Sequence, residues 1–234
     1  MSSIRKLINQ TAIYGTSSII GRFLNFLLTP LYALQFSNEQ YGIITEMYAY
    51  VAFLVVFLTY GMETAFFRFS TTNKDGKLNI YSNTLYSLIT SSAIFVAMAT
   101  IFSENIADWL KYPNHQEYII WFSLIVSLDA VSSIPLAKLR LQEKAKKFAL
   151  VNLLNVGVNI FLNLFFLIYC KEAFESGHTN WITENLYNPK IGVGYVFISH
   201  IIESLIKFGV LMTTMSFKGA FDLPILKQMV SYAG

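Results

Sequence analysis

The stretch FALVNLLNVGVNIFLNLFFLIYC, Phe148–Cys170, carries no charged residue over its whole length. A helix needs about 20 predominantly apolar residues to cross the hydrocarbon core of a bilayer, so this stretch predicts a transmembrane helix. A second stretch without charge, Tyr81–Phe102, leads to the same prediction. We therefore expect an integral membrane protein.

The composition of the whole chain agrees with that expectation. Hydrophobic residues make up 54% of the chain and charged residues only 13%, whereas a soluble domain is about 25% charged. No basic run is interleaved with aromatic residues, so nucleic acid is not expected as a partner. The predicted fold is an all-α, polytopic transmembrane helical bundle.

Four further apolar stretches complete a prediction of six membrane spans. The predicted spans are residues 11–35, 44–67, 81–102, 118–136, 148–170 and 191–215. No low-complexity linker divides them, so residues 1–225 are interpreted as one N-terminal transmembrane lobe. Residues 226–234 are interpreted as the start of a seventh helix that stops early.

Lysine and arginine residues fall unevenly on the two sides of this predicted bundle. If the N-terminus is cytoplasmic, the opposite side carries only Lys111, Lys171 and Lys190. The cytoplasmic side carries Arg5, Lys6, Arg68, Lys74, Lys77, Lys138, Arg140, Lys144, Lys146, Lys147, Lys218 and Lys227. The positive-inside rule thus predicts a cytoplasmic N-terminus, and the basic loops are expected to contact anionic membrane lipids.

One face of the first span is polar at a depth where lipid is expected. Arg22 shares this face with Gly15, Ser18, Asn25 and Thr29, because their spacing follows the helical repeat. Charges at membrane depth normally face a bundle interior or a water-filled cavity. Arg22 and Asn25 are therefore candidates for binding substrate in a central cavity, and the alternative is a structural ion pair between Arg22 and a neighbouring helix.

The sixth span carries His200, Glu203 and Lys207 near its middle. Glutamate followed by lysine four residues later is the favourable order for an ion pair within one helix. Mutual neutralisation of Glu203 and Lys207 is one interpretation. A substrate-binding role for Lys207, with Glu203 and His200 as coupling residues or hydrogen-bonding groups, is the other.

Two further carboxylates are candidates for such roles, Glu63 in the predicted second span and Asp129 in the predicted fourth. An intramembrane carboxylate can bind a proton or Na⁺ as a coupling ion. It can equally neutralise a cation on another helix, and Asp129 is a candidate partner of Arg22. The residues alone leave both interpretations open.

Four asparagines, Asn152, Asn155, Asn159 and Asn163, form a stripe along one face of the fifth span. Asparagine side chains form hydrogen bonds between helices in bilayers. The stripe predicts either such interhelical contacts or a hydrophilic wall along a translocation path.

No sequence pattern indicates catalysis. The chain has no G-x-S-x-G, no H-E-x-x-H and no phosphate-binding glycine-rich loop. Its single cysteine, Cys170, allows no intrachain disulfide, and no Cys/His spacing fits a metal site. We therefore expect no enzyme active site, no metal and no cofactor, and energy for transport would come from an ion gradient or from substrate flow.

Several segments resemble lipid-linked oligosaccharide flippases, the polysaccharide biosynthesis exporters of the multidrug/oligosaccharidyl-lipid/polysaccharide superfamily. These segments are GRFLNFLLTPLYA (Gly21–Ala33), FSNEQYG (Phe36–Gly42), TYGMETAFFRF (Thr59–Phe69) and PLAKLRLQEKAKKFALVN (Pro135–Asn152). The segment Thr59–Phe69 is similar to versions found in lipopolysaccharide and capsule export. The resemblance covers essentially the whole chain.

This resemblance implies two lobes that rock around a central cavity in a bacterial inner membrane. The implied substrate is an undecaprenyl-pyrophosphate-linked oligosaccharide, which moves from the inner to the outer leaflet. Family members direct cationic cavity residues at the pyrophosphate or at acidic sugars, and Arg22 is the position that fits this role here. Lys207 is a weaker candidate.

The chain departs from this family in length, because members have roughly twice as many helices. A missing C-terminal lobe or a second copy of the chain is therefore expected to complete the transporter. One alternative function is a cation-coupled multidrug exporter with Asp129 or Glu63 as coupling carboxylate. Another is a membrane-embedded glycosyltransferase or polymerase, which would use the acidic residues of the Lys171–Lys190 segment.

Overall fold

The computed structural model describes residues 3–72, 77–113, 115–178, 180–215, 217 and 219–233, with the side chains of residues 3–7, 77 and 78 outside that description. Five basic side chains of the sidedness argument therefore lie outside the described part: Arg5, Lys6, Lys74, Lys77 and Lys218. The last residue of the predicted seventh helix, Gly234, lies outside it as well.

All regular secondary structure in the described residues is helical. The α-helices are α1 (Ser3–Phe26), α2 (Leu28–Gln35), α3 (Asn38–Thr59), α4 (Met62–Thr72), α5 (Lys77–Ile101), α6 (Ser103–Trp109), α7 (Gln116–Leu141), α8 (Ala145–Leu164), α9 (Lys171–Glu175), α10 (Trp181–Leu186), α11 (Gly194–Met212) and α12 (Leu223–Ala233). A π-helical segment, Phe165–Cys170, extends α8, and a 3₁₀ turn, Pro189–Ile191, precedes α11.

Six helical stretches in the described residues are long and apolar enough to cross a membrane. They are Ile8–Gln35, Asn38–Thr72, Asn79–Ile101, Gln116–Leu141, Ala145–Glu175 and Gly194–Met212. The predicted all-α, polytopic bundle with six spans is therefore confirmed. The protein is a multi-pass membrane protein.

The second span begins earlier than predicted, at Asn38 instead of Ile44. The reason is a capping box: the Ser37 hydroxyl accepts a hydrogen bond from the Gln40 N–H at 3.3 Å. The Gln40 side chain in turn accepts from the Ser37 N–H at 3.2 Å. Two of the orphan donors at the helix start are satisfied in this way, so the helix extends into the predicted loop.

The first two spans are each interrupted within the bundle. The first breaks at Leu27 between α1 and α2, because Pro30 has no N–H to donate to the carbonyl of Phe26. The second breaks at Tyr60 and Gly61, whose φ angles are 32° and 69°. A glycine adopts such a left-handed conformation without steric cost.

Helix α7 occupies the centre of the bundle and packs against α3, α5 and α11. Ile125, Ala130 and Ile134 on α7 are completely buried. The Phe197 ring of α11 packs edge-on against the rings of Phe122 and Tyr118, with centroids 4.7 and 5.2 Å apart. Helix α7 thus provides the surface on which the other spans are positioned.

The two ends of the bundle are distinguished by their contacts. We call the end that carries the chain's N-terminus the N-terminal side. There, Gln10 donates a hydrogen bond to the carbonyl oxygen of Glu143 at 3.3 Å, and Lys138 donates one to the carbonyl oxygen of Thr214 at 2.9 Å. At the opposite side, Lys171 donates to the Gln35 side chain at 2.9 Å. Loops therefore alternate between the two sides as six crossings require.

Helix α12 begins at Leu223, three residues before the predicted start at 226. The Asp222 carboxylate accepts a hydrogen bond from the Ile225 N–H at 3.1 Å, which caps the helix N-terminus. The helix packs against α4 and α5, and Met229 is completely buried there. Its C-terminal end lies beside Gly61, where an added Cβ would meet the Ala233 carbonyl oxygen at 2.7 Å.

Candidate functional site

A polar cavity of about 400 Å³ lies among α1, α2, α3, α8 and α11. It is half-open and lies at the depth of the membrane spans. Its polar lining includes Asn25, Tyr32, Tyr48, Asn159, His200 and Glu203. A cavity of this size is within the usual range of about 300–1,000 Å³ for ligand sites.

One wall of the cavity is a chain of hydrogen bonds between α1, α2 and α8. The Tyr32 hydroxyl donates to Oδ1 of Asn163 at 3.0 Å, and Nδ2 of Asn163 donates to Oδ1 of Asn159 at 2.9 Å. Nδ2 of Asn159 then donates to Oδ1 of Asn25 at 3.3 Å. These asparagines make the interhelical contacts expected from the sequence, and Asn159 also lines the cavity.

An ion pair between α7 and α11 lies beneath the cavity. Nζ of Lys207 is 2.6 Å from Oδ1 of Asp129, and the Ser204 hydroxyl donates to the same oxygen at 3.0 Å. Nε2 of His200 is 3.8 Å from Oδ2 of Asp129. Lys207 is thus neutralised by Asp129.

This pairing corrects two interpretations made from the sequence. Glu203 and Lys207 do not form the predicted pair within α11, because Lys207 reaches across to the facing helix α7 instead. Arg22 and Asp129 are not partners either, since none of the ion pairs among the described residues involves Arg22. The pairing depends on which faces of two helices pack against each other. The spacing of residues within one helix does not specify this packing.

Glu203 carries a carboxylate that lines the cavity and is almost completely buried, with 4% of its surface exposed. Asn155 donates a hydrogen bond to Oε1 of Glu203. Glu203 takes part in none of the ion pairs found in the described ranges. The carboxylate that lines the cavity is therefore not neutralised by a direct ion pair in the described structure.

His200 lines the cavity and also lies beside the Asp129 carboxylate. Its ring lies 5.5 Å from the ring of Tyr48, and its Nδ1 atom is buried without a hydrogen-bond partner in the described structure. A buried polar atom without a partner is costly and marks a place for a water molecule or a ligand group. His200 is therefore placed to contact whatever occupies the cavity.

Arg22 lies one helical turn from Asn25, toward the N-terminal side. Its side chain is exposed, and it belongs to the same span as Asn25 on α1 and Thr29 on α2, both of which line the cavity. No ion pair or hydrogen bond involving its guanidinium is found among the described residues. Arg22 is not among the residues that line the cavity, and the described structure does not show the alternative ion pair with a neighbouring helix.

Glu63 is a predicted site residue that lies outside the cavity lining. Its Oε1 atom is 2.6 Å from Nη2 of Arg140 at the N-terminal side. This contact links α4 to α7. The structure shows the ion-pair alternative for Glu63, and no contact connects it to the cavity residues.

Sequence reasoning missed the tyrosines of the site. Tyr32 lies seven residues after Asn25 on the same helical face, so its position was a usable signal. Tyr48 gave no such signal, because α3 carries aromatic residues on several faces. Within the described part of the chain, no group of three or more His, Cys, Asp or Glu residues forms a metal site.

The fold and the site together define a class: a polytopic helical membrane protein with a polar, ligand-sized cavity between its spans. The family described as polysaccharide biosynthesis protein matches residues 35–231. The chain belongs to this family, which confirms the resemblance and supports a role in polysaccharide biosynthesis. No curated protein and no solved structure shows a significant match to the chain.

Proposed function

We propose that the chain forms one lobe of an alternating-access transporter that carries an undecaprenyl-pyrophosphate-linked oligosaccharide across the bacterial inner membrane, with its N-terminus in the cytoplasm. The observation that carries this proposal is the polar cavity at membrane depth. A static bundle has no need for a cavity of about 400 Å³ lined by hydroxyl, amide, imidazole and carboxylate groups. Such groups are expensive at this depth and mark pathways for polar cargo.

The lining of the cavity fits the chemistry of a glycan. Sugar hydroxyls both donate and accept hydrogen bonds, and asparagine amides and tyrosine hydroxyls do the same. Asn25 and Asn159 present such groups from α1 and α8, and Tyr48 adds an aromatic ring from α3. A glycan can therefore replace the water that the open cavity would otherwise hold.

The proposal assigns the pyrophosphate to Arg22. A guanidinium binds phosphate oxygens through parallel hydrogen bonds. Arg22 lies one helical turn before the cavity-lining Asn25 and has no partner shown in the described residues. Lys207 is less suited, because Asp129 neutralises it at 2.6 Å. The second lobe, or a second copy of the chain, would close the open side of the cavity.

The proposal assigns ion coupling to Glu203. Asp129 and Glu63 are each matched by a cation at 2.6 Å, whereas Glu203 lines the cavity without one. An uncompensated buried carboxylate favours binding of a proton or Na⁺. The proposal gives the chain no catalytic step.

Replacement of Arg22 tests the proposal. Arg22→Ala should abolish export of surface polysaccharide at an unchanged level of membrane protein, and Arg22→Lys should retain part of it. Arg68→Ala is the matched control, because Arg68 stacks on the Tyr232 ring at the N-terminal side, away from the cavity. Normal export by Arg22→Ala would remove Arg22 from the mechanism.

A cation-coupled multidrug exporter is the second candidate, and the carboxylate of Glu203 in the cavity is the observation that favours it. Vesicles that contain the full-length transporter distinguish the two functions. Efflux of an organic cation that depends on Na⁺ or protons, with no movement of lipid-linked oligosaccharide, would support the exporter.

A further inference from the structure

A second cavity of about 480 Å³ lies on the other side of α3, among α3, α5, α6 and α7. Its lining is almost entirely apolar and includes Val51, Leu54, Phe95, Ala99, Ile106 and Phe122. We call it the apolar groove. Helix α3 is the wall between the groove and the polar cavity, since Ile44 and Tyr48 line the polar cavity while Met47 and Val51 line the groove.

An acidic group lies at one end of the apolar groove. Tyr50, which lines the groove, donates a hydrogen bond from its hydroxyl to Oε1 of Glu46 at 2.8 Å. The Tyr112 hydroxyl donates to Oε2 of the same carboxylate. Burial and the Glu46 carboxylate raise the pKa of Tyr112 above its usual range, so this hydroxyl remains a donor.

The Glu46 carboxylate is oriented yet still open to a ligand. Its side chain is exposed, and each carboxylate oxygen has a further lone pair after accepting one tyrosine hydrogen bond. Lys111, which directly precedes Tyr112 in the chain, is exposed. The end of the groove therefore carries an oriented negative charge, and a lysine is the chain neighbour of one of the two tyrosines that orient it.

The position of α6 places this end at the membrane surface. Helix α6 follows the end of the third span and contributes Ile106 and Trp109 to the groove. The Trp109 side chain is 80% exposed, and tryptophan is enriched where the acyl chains meet the headgroups. The groove thus runs from the headgroup level into the acyl region of the leaflet at the opposite side.

An apolar groove inside a bilayer has little selectivity of its own, because lipid tails are as apolar as the groove that holds them. The charged groups at its end must therefore determine which lipid headgroup is bound preferentially. Glu46 attracts an ammonium group and repels a pyrophosphate, so the lipid-linked cargo of the proposed function is disfavoured here. A zwitterionic lipid with a primary amine satisfies Glu46 with its ammonium and Lys111 with its phosphate.

We propose that the apolar groove is a binding site for a zwitterionic aminophospholipid of the phosphatidylethanolamine type. One acyl chain occupies the groove, and the ammonium group binds the carboxylate of Glu46. This site is separate from the polar cavity, and the proposal does not depend on the transported substrate.

Native mass spectrometry of the purified full chain tests this site. The protein is released from nanodiscs of equal parts phosphatidylethanolamine and phosphatidylglycerol, and retained lipids are counted. The wild type should retain one phosphatidylethanolamine molecule in at least tenfold preference over phosphatidylglycerol. Glu46→Gln keeps one acceptor oxygen for a tyrosine hydroxyl and presents its NH₂ group to the oxygen of the other. It removes the charge, so the preference should vanish.

Two further variants separate the charge from the groove. Glu39→Gln removes a similar charge from the first turn of α3, seven residues before Glu46 and outside the groove lining. It should behave as the wild type. Ala99→Trp fills the groove and should remove the retained lipid of either kind. The proposal would be overturned if Glu46→Gln retained as much phosphatidylethanolamine as the wild type does. It would also be overturned if the wild type preferred phosphatidylglycerol, or if the protein formed a lipid-free dimer that covers the groove.

Discussion

Lys207 on α11 and Asp129 on α7 form an ion pair at 2.6 Å, and their side chains are only 11% and 21% exposed. The pair connects the central helix of the bundle to the helix that carries Glu203 and His200. It therefore positions two of the cavity residues without lining the cavity itself.

Lys207→Met should destabilise the protein strongly. Removal of one partner from a buried ion pair leaves an uncompensated charge, which costs about 3–5 kcal/mol. We expect a clear drop in the thermal unfolding midpoint of the detergent-solubilised protein. The double variant Lys207→Met with Asp129→Leu should recover most of the loss, and a single variant as stable as the wild type would contradict a structural role for the pair.

Glu203→Gln should fold normally but uncouple transport. The glutamine carbonyl can still accept the hydrogen bond from Asn155, while the group that binds a proton or Na⁺ is gone. We expect export to fall roughly tenfold, equivalent to about 1.4 kcal/mol in the activation barrier. The remaining export should no longer respond when the proton and Na⁺ gradients are collapsed.

Glu63→Gln provides the matched control for that experiment, because Glu63 pairs with Arg140 away from the cavity. It should keep the response to the gradients. A Glu203→Gln protein that keeps its gradient dependence would assign coupling to another residue.

Gly61→Ala should weaken the contact between the break in the second span and α12. The φ angle of 69° costs a non-glycine residue about 1–2 kcal/mol, and the new Cβ would meet the Ala233 carbonyl oxygen at 2.7 Å. Gly157→Ala is the control, since no atom lies within 4 Å of an added Cβ there. A melting temperature unchanged by Gly61→Ala would show that α12 does not pack at this point.

Sidedness can be measured with single cysteines in a Cys170→Ser background. Lys146→Cys lies at the N-terminal side and Lys190→Cys at the opposite side, and both positions are exposed. With a cytoplasmic N-terminus, a membrane-impermeant maleimide added to cells with a permeable outer membrane should label position 190 and leave position 146 unlabelled. The reverse pattern would invert the proposed topology.

The number and type of spans were predictable from the sequence, because each transmembrane helix satisfies its own backbone hydrogen bonds and its apolar length is a local property. The asparagine stripe was predictable for the same reason, since helical spacing alone places Asn155, Asn159 and Asn163 on one face of the fifth span. The start of α3 was missed although its signal, the Ser37 and Gln40 capping box, is also local.

The tertiary structure determined the partner of each charged side chain that lies within the membrane spans. Spacing within α11 favoured Glu203 for Lys207, but the packing of α11 on α7 brought Asp129 to it. The same packing left Glu203 facing the cavity and separated Glu63 from it. A sequence specifies which residues share a helical face, whereas the contact between two faces depends on how all the helices pack at once.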